Sequence, residues 1–281
     1  FDNKFFNITP VDAIVIDPQE RMLLETVWHT LEDAGVTRSM LKRPVDDDLQ
    51  EDVGVFVGTT SQTYQFWGVE ESLRGRPVLT NSSPWSLANR VSYFFDFSGP
   101  SMPVDTACSS GLSAVHLAIE SLRAGECTSA IAAGVNLFLH PLKYVSMCQM
   151  KMLSPTGRLS AFGADANGFV PGEGVAAVLL KPLSKALSDG NRIRALIRSS
   201  TVNHGGKTNG YTVPSVSAQS RLLRRGWERA AIDPASIGYL EMHGTGTRLG
   251  DPIEVEAAAR AMAAFTDRKR FCAIGSVKAN I

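Results

Sequence analysis

Val104-Asp105-Thr106-Ala107-Cys108-Ser109-Ser110-Gly111-Leu112 joins a strand-like approach, Pro103–Thr106, to an amphipathic helix whose apolar positions Leu112, Val115, Ala118, Ile119 and Leu122 recur at helical spacing as far as Gly125. The cysteine stands at the junction. A thiol at a helix N-terminus faces free backbone N–H groups and the positive end of the macrodipole, and both favour the nucleophilic thiolate form. Ser109, Ser110 and Gly111 are small enough to let a substrate carbonyl approach, and the N–H of Cys108 is a candidate oxyanion donor. A buried structural cysteine is the competing reading, and the local pattern alone leaves both open. Cys127, Cys148 and Cys272 have no comparable setting: the first and last read as core or near-surface thiols, and Cys148 lies in a Met-rich stretch that reads as packing.

On either side of this junction, strand and helix signals alternate. Asp17-Pro18-Gln19-Glu20 supplies an N-cap, a proline at the first helical position and a carboxylate placed for a capping box. Leu23, Leu24, Val27, Trp28 and Leu31 follow at helical spacing up to Gly35. Val53–Gly58 reads as a short buried strand, Pro44–Asp52 as an acidic surface loop, and Gln62–Ser83 as an excursion without clear period that packs on a partner subunit. Ser129–Val135, Val175–Lys181, Arg194–Asn203, Ile237–His243 and Phe271–Val277 read as strands, and Ala218–Ala230 and Pro252–Phe265 as helices. This alternation points to α/β layering. Asp251-Pro252-Ile253-Glu254 opens its helix as Asp17-Pro18-Gln19-Glu20 does, a weak sign of duplication.

The chain has 281 residues, 44% hydrophobic and 20% charged, with 28 basic and 28 acidic side chains. At roughly 100–200 residues per domain this is one large domain or two fused halves. A net charge of zero gives no reason to expect nucleic acid or an anionic membrane as a general partner. No apolar run reaches the roughly 18 residues of a membrane span, and no stretch reads as a signal peptide. The four cysteines lack CxxC spacing and read as neither a zinc site nor a disulfide framework. A reducing cytoplasm is the expected compartment. The chain starts at Phe1 and stops at Ile281 just after a strand-like stretch, so it reads as an excerpt of a longer polypeptide.

A second chemical signal is Glu241-Met242-His243-Gly244-Thr245-Gly246-Thr247, where a strand runs into two glycines and two threonines. Glycines allow positive φ and close backbone approach, threonine hydroxyls can bond a polar extended ligand, and strand ends in open α/β sheets are where ligands bind. His29, His116, His140 and His204 lack such a setting; His116 reads as packing or helix surface, and His204 as a loop residue. A third signal is Gly275-Ser276-Val277-Lys278-Ala279-Asn280-Ile281, in which Lys278 stands either on the surface or beside an active site.

Together these three segments resemble the β-ketoacyl synthase family, in particular ketosynthase domains of modular type I polyketide synthases. Asp105 to Ser110 looks like the nucleophile motif, His243 to Thr247 like the first histidine motif, and Gly275 to Ile281 like the start of the lysine–second histidine motif. Phe5-Phe6-Asn7-Ile8, Asp17 to Arg21, Asn89 to Tyr93 and Gly172-Glu173-Gly174 are also similar, so the resemblance covers essentially the whole chain. Trp85 to Arg90 and Asn203 to Tyr211 look most like synthases served by a separate acyltransferase.

The resemblance implies a thiolase-like five-layer αβαβα fold, built as a duplicated βα unit and here truncated at both ends. About 1–190 would be the N-terminal half with Cys108, and about 191–281 the start of the C-terminal half with His243. It implies a homodimer with no bound cofactor or metal. An upstream acyl carrier protein would deliver an acyl group on its 4′-phosphopantetheine arm to Cys108, and a downstream carrier would bring malonyl for decarboxylative condensation. His243 would donate to the developing oxyanion, Lys278 would orient its neighbours, and Thr245 and Thr247 would bond the pantetheine arm.

Some positions depart from the family pattern. Met242 is larger than the residue expected before the histidine, and Gly111 replaces a more usual serine. The family's second histidine is expected within two residues after Ile281, so the excerpt as it stands is expected to be inactive. A non-condensing ketosynthase that only transfers acyl chains, a non-catalytic dimer scaffold, a thiolase and a cysteine hydrolase are the competing functions.

Overall fold

The computed structural model describes residues 1–41 and 53–280, so the acidic loop expected at Pro44–Asp52 lies outside the described residues. The chain forms two compact units, one made of Phe1–Lys143 and Glu173–Leu196, the other of Tyr144–Gly172 and Ile197–Ile281. In chain order the helices and strands are α1 (Pro10–Val15), α2 (Pro18–Asp33), β1 (Val53–Gly58), α3 (Tyr64–Leu73), α4 (Pro84–Phe95), β2 (Ser101–Val104), α5 (Ser110–Ala124), β3 (Ser129–Asn136), α6 (Leu142–Gln149), β4 (Gly174–Leu180), α7 (Leu183–Ser188), α8 (Val216–Ala230), β5 (Tyr239–Glu241), α9 (Gly250–Ala263) and β6 (Ala273–Gly275).

The first unit is organised by a four-stranded sheet of order β2-β1-β3-β4. β1 pairs in parallel with β2 and β3, and β4 runs antiparallel to β3. β1 is buried along its whole length, as its continuous apolar sequence requires of a strand covered on both faces. Side chains alternate between the two faces. Val53, Val55, Val57, Ile131 and Val135 join a core with Leu23, Leu24 and Val27 of α2 and Leu87, Val91 and Phe95 of α4. Phe56, Ala130 and Ala132 point the other way, onto Val104 and onto Ala114 and Ala118 of α5. Each fully buried Val, Leu or Phe contributes about 1.5–3 kcal/mol, so α5 is anchored by one face directly behind the cysteine turn.

α2 starts as its sequence predicts, with the Asp17 carboxylate accepting from the Gln19 N–H and Pro18 at the first position. The capping box does not form. The Asp17 N–H already donates to the Asn81 carbonyl, and Glu20 turns inward to accept from Arg90 Nε at 2.5 Å and Ser86 Oγ at 3.0 Å on α4. Burial pushes the Glu20 carboxyl up, opposed by Arg90.

Four further helices, α1, α4, α6 and α7, carry no reading from the sequence. α1 and α6 are short and have no buried residues. α4 has clear signals, with Pro84 at its first position and Leu87, Val91 and Phe95 on one face. The aperiodic stretch Gln62–Ser83 contains α3, which buries only Gly68 and so leaves little apolar periodicity to detect.

The second unit packs Trp227 of α8 against Ala261 and Met262 of α9, with Leu240 and Phe271 beside them. β5 and β6 form a two-stranded parallel sheet. The strand predicted at Arg194–Asn203 is not one. This segment belongs to no ladder among the described residues, and its polar side chains bond helix carbonyls instead. Ser199 Oγ donates to Gly226 O at 2.7 Å, Thr201 Oγ1 to Leu222 O at 3.3 Å and Asn203 Nδ2 to Ala218 O at 2.9 Å, all on α8. Among the described residues no helix is long and apolar enough to cross a membrane.

Candidate active site

In the first unit, the ladder between β1 and β2 ends at the pair Gly58–Val104. The chain then turns through Ala107, a non-glycine residue at φ +54°, and reaches Cys108, which is exposed and free. α5 begins two residues later. Ser109 occupies its N-cap position but makes no side-chain cap bond; its hydroxyl donates back to the Thr106 carbonyl at 2.8 Å and Thr106 Oγ1 at 2.9 Å. Ser110 Oγ accepts from the Thr106 N–H at 2.9 Å and donates to the Ala107 carbonyl at 2.6 Å. Gly58 lets β1 approach this turn: a Cβ there would stand 2.6 Å from the Gly111 nitrogen. At Gly111 itself a Cβ would meet nothing within 4 Å, so the departure from serine is sterically neutral.

In the second unit, β5 ends at Glu241, two residues before the predicted end of the strand, although the Met242 N–H still donates to the Gly275 carbonyl at 2.8 Å. Met242 is buried. His243 follows, then Gly244 at φ +52° and Gly246 at φ +66°. Both glycines are required twice over, by dihedral and by space. A Cβ on Gly244 would lie 2.6 Å from Ser276 Cβ, and one on Gly246 2.5 Å from Leu159 Cδ1.

The carboxylates of α9 hold this turn. Glu254 accepts from the His243 N–H at 2.5 Å and the Gly244 N–H at 2.9 Å. Buried Asp251 accepts through Oδ1 from Gly246 N at 3.1 Å and Thr245 Oγ1 at 3.3 Å, and through Oδ2 from Phe162 N at 2.7 Å.

Lys278, on a 3₁₀ turn at Val277–Asn280 just past β6, donates from Nζ to His243 Nδ1 at 2.5 Å. A lysine ammonium has donors and no acceptor, so Nδ1 is the acceptor nitrogen and the proton of the neutral ring resides on Nε2. Surrounding protein pushes the His243 pKa down, the Lys278 charge adds to this, and Glu254 and Asp251 oppose it. The ring therefore keeps its neutral form to lower pH than an ordinary histidine. Thr245 and Thr247 share a hydroxyl contact at 3.0 Å, and Thr247 Oγ1 also accepts from Gly250 N at 3.1 Å.

The structure thus brings His243, Lys278, Thr245 and Thr247 together in one unit, and sets Cys108 on its own turn in the other. Asp251 and Glu254 were legible only as a helix start, and Thr60, which donates to the Ala107 carbonyl at 3.2 Å, carried no sequence signal. Cys148 does not pack: it is exposed on α6. Cys127 is buried and Cys272 partly so. His29 pairs with Glu32, His140 with Glu70, and His204 Nδ1 accepts from Gly206 N. No group of three or more metal-ligating side chains exists among the described residues.

The model of the β-ketoacyl synthase N-terminal domain matches residues 1–186, and that of its C-terminal domain matches residues 194–281. The chain belongs to the β-ketoacyl synthase family. Over its full length this ketosynthase chain is 51% identical to polyketide synthase PksL of Bacillus subtilis (strain 168), of which it spans 6%. Among solved structures it is similar to the oxazolomycin ketosynthase domain OzmH KS7 of Streptomyces albus JA3453, with 49% identity and a TM-score of 0.93 over 99% of this chain and 47% of that one. It is also similar to the ketosynthase from module 6 of the bacillaene synthase of Bacillus subtilis 168, with 44% identity and a TM-score of 0.91 over 100% of this chain and 47% of that one. The ketosynthase chain therefore spans about half of those solved domains, and its fold is their thiolase-like α/β fold.

Proposed function

We propose that this chain carries the acyl-accepting cysteine and the first oxyanion-binding histidine of a condensing ketosynthase in polyketide biosynthesis. The thiolate of Cys108 attacks the thioester carbonyl of an acyl group presented on the 4′-phosphopantetheine of an upstream acyl carrier protein. The pantetheine sulfur leaves with the electron pair and takes up a proton equivalent to the one the Cys108 thiol gave up on forming the thiolate, and the acyl group stays on Cys108. A malonyl group on a downstream carrier then loses CO2. The electrons of the broken C–C bond pass into an enolate whose oxygen accepts from Nε2–H of His243. The enolate carbon attacks the Cys108 thioester, the Cys108 sulfur leaves, and the chain has grown by two carbons. Thr245 and Thr247 bond the pantetheine arm. The domain works as a cytoplasmic homodimer without a bound cofactor, and a separate acyltransferase loads the malonyl carrier.

The observation that carries this reading is the contact from Lys278 Nζ to His243 Nδ1. It supports a histidine that donates through Nε2, which is what a developing enolate oxygen requires. A cysteine hydrolase needs the opposite tautomer, with a lone pair on the nitrogen that faces its nucleophile. The depressed pKa of His243 supports the same role, because a neutral imidazole can donate without a proton being held at the cost of a buried charge.

The test is incubation of the intact protein with an acyl carrier and a carbon-labelled malonyl carrier. A β-ketoacyl product and released CO2 are expected. Acyl transfer without a new C–C bond would assign the non-condensing function, free acid a hydrolase, and unchanged product from Cys108→Ala a scaffold.

A further inference from the structure

The turn that presents Cys108 holds a residue with a Cβ in the left-handed region, Ala107 at φ +54°. This conformation is unfavourable for any residue but glycine and persists only where the surroundings over-determine it. Four contacts do so. The Ala107 N–H donates to Asp105 Oδ1 at 2.9 Å. Its carbonyl accepts from the Ser110 N–H at 3.0 Å, from Ser110 Oγ at 2.6 Å and from Thr60 Oγ1 at 3.2 Å.

The first three contacts come from within the turn and move with it. Thr60 comes from 47 residues away. It follows β1, and its neighbour Thr59 extends the β1–β2 ladder by donating its N–H to the Val104 carbonyl at 3.0 Å. Thr60 Oγ1 also lies 3.4 Å from Ser110 Oγ, so one hydroxyl touches both groups that close the turn.

We propose that Thr60 is a positioning residue for the nucleophile: its hydroxyl ties the strained Ala107 peptide to the rigid end of β1 and so fixes the direction of the Cys108 Cα–Cβ bond. This rests on the role proposed for Cys108. Without the Thr60 donor the peptide relaxes towards ordinary dihedrals, and the thiol spends less time aimed at an incoming carbonyl. The strain and its tether act together: replacing Ala107 by glycine removes the conformational penalty and with it the need for the tether.

The test compares Thr60→Val and Thr60→Ser in the intact protein, each with and without Ala107→Gly. Single-turnover acylation of Cys108 by an acyl-pantetheine thioester, alkylation of Cys108 by iodoacetamide across pH, and thermal unfolding are measured in parallel. Thr60→Val is expected to slow acylation about five- to tenfold, as for loss of one net hydrogen bond, with a melting temperature lowered by no more than about 4 °C, so that the protein stays fully folded under the assay conditions. Thr60→Ser is expected to restore the rate to within about twofold, and on the Ala107→Gly background the effect of Thr60→Val is expected to vanish.

Acylation at the wild-type rate in Thr60→Val overturns the proposal. So does an equally large loss on the Ala107→Gly background, which would make Thr60 a substrate contact, and so does a rate loss that only tracks a lowered melting temperature. If the wild-type protein does not acylate Cys108 at all, the ketosynthase reading fails, and the alkylation rates still decide whether Thr60 aims the thiol.

Discussion

The cysteine turn between β2 and α5 and the histidine turn between β5 and α9 solve one problem with different materials. Each must send the chain from a strand into a helix through left-handed backbone and leave a reactive side chain at the bend. The histidine turn uses glycines at φ +52° and +66° and is clamped by two carboxylates of the following helix, which accept from its backbone N–H groups. The cysteine turn uses Ala107, with hydroxyls of Ser110 and Thr60 donating to its carbonyl. Glycine with carboxylate gives a relaxed turn stiffened by charge-assisted bonds. Alanine with hydroxyls gives a strained turn held by neutral ones. The second arrangement is easier to loosen, so the aim of the nucleophile is the more sensitive of the two to small substitutions.

After loss of the His243 ring itself, the largest expected effect is at the charged clamp. Glu254→Gln replaces one acceptor facing a backbone N–H by a donor, and loss of a charged hydrogen bond is worth about 1.5–3 kcal/mol. Condensation should fall roughly 10- to 100-fold while Cys108 is still acylated; both half-reactions can be followed by mass spectrometry. An equal fall in acylation would break the division between the two turns.

Next come the glycines. Gly244→Ala places a Cβ 2.6 Å from Ser276 Cβ at a positive φ and should destabilise the protein by about 2–3 kcal/mol in thermal or urea unfolding. Gly111→Ser, where a Cβ meets nothing within 4 Å, should change stability by no more than about 0.5 kcal/mol.

A subtler effect concerns pH. The folded His243 pKa lies below its ordinary value, so the ring stays neutral to lower pH than an ordinary histidine and takes a second proton, on Nδ1, only when pH falls through the folded value. In that window the unfolded chain binds the proton and the folded chain does not, so acid also destabilises the fold. Lys278→Met removes one depressing cause, although packing around the ring is the larger. The titration of the His243 ring, followed by NMR of the intact protein, should move to higher pH. A titration that does not move would mean that Lys278 does not act on the ring.

The comparison also explains what was legible in the sequence. Gly244 and Gly246 announce positive φ through their own chemistry, and Cys108 announces itself by standing between a strand-like approach and an amphipathic helix. Ala107 announces nothing, because its dihedral is imposed by partners that include Thr60, remote in sequence. Glu20 and Glu254 both match a helix-start pattern, yet one turns inward to Arg90 and the other holds a neighbouring turn. Local spacing shows where a carboxylate starts, not which tertiary partner claims it. Arg194–Asn203 has the residues of a strand but joins no ladder among the described residues, and its side-chain bonds to α8 carbonyls are contacts that no period reveals. α4 was legible in principle, with its proline at the first position and apolar stripe.

The most direct test of the account is to measure the two half-reactions separately in His243→Ala of the intact protein. If His243 is a neutral donor to the enolate oxygen, Cys108 acylation should stay within a few-fold of wild type and malonyl decarboxylation should fall by about 100-fold or more, the scale of losing one oxyanion donor. If acylation collapses together with decarboxylation, His243 is acting as the base for the thiol, and the assignment of its proton to Nε2 is wrong.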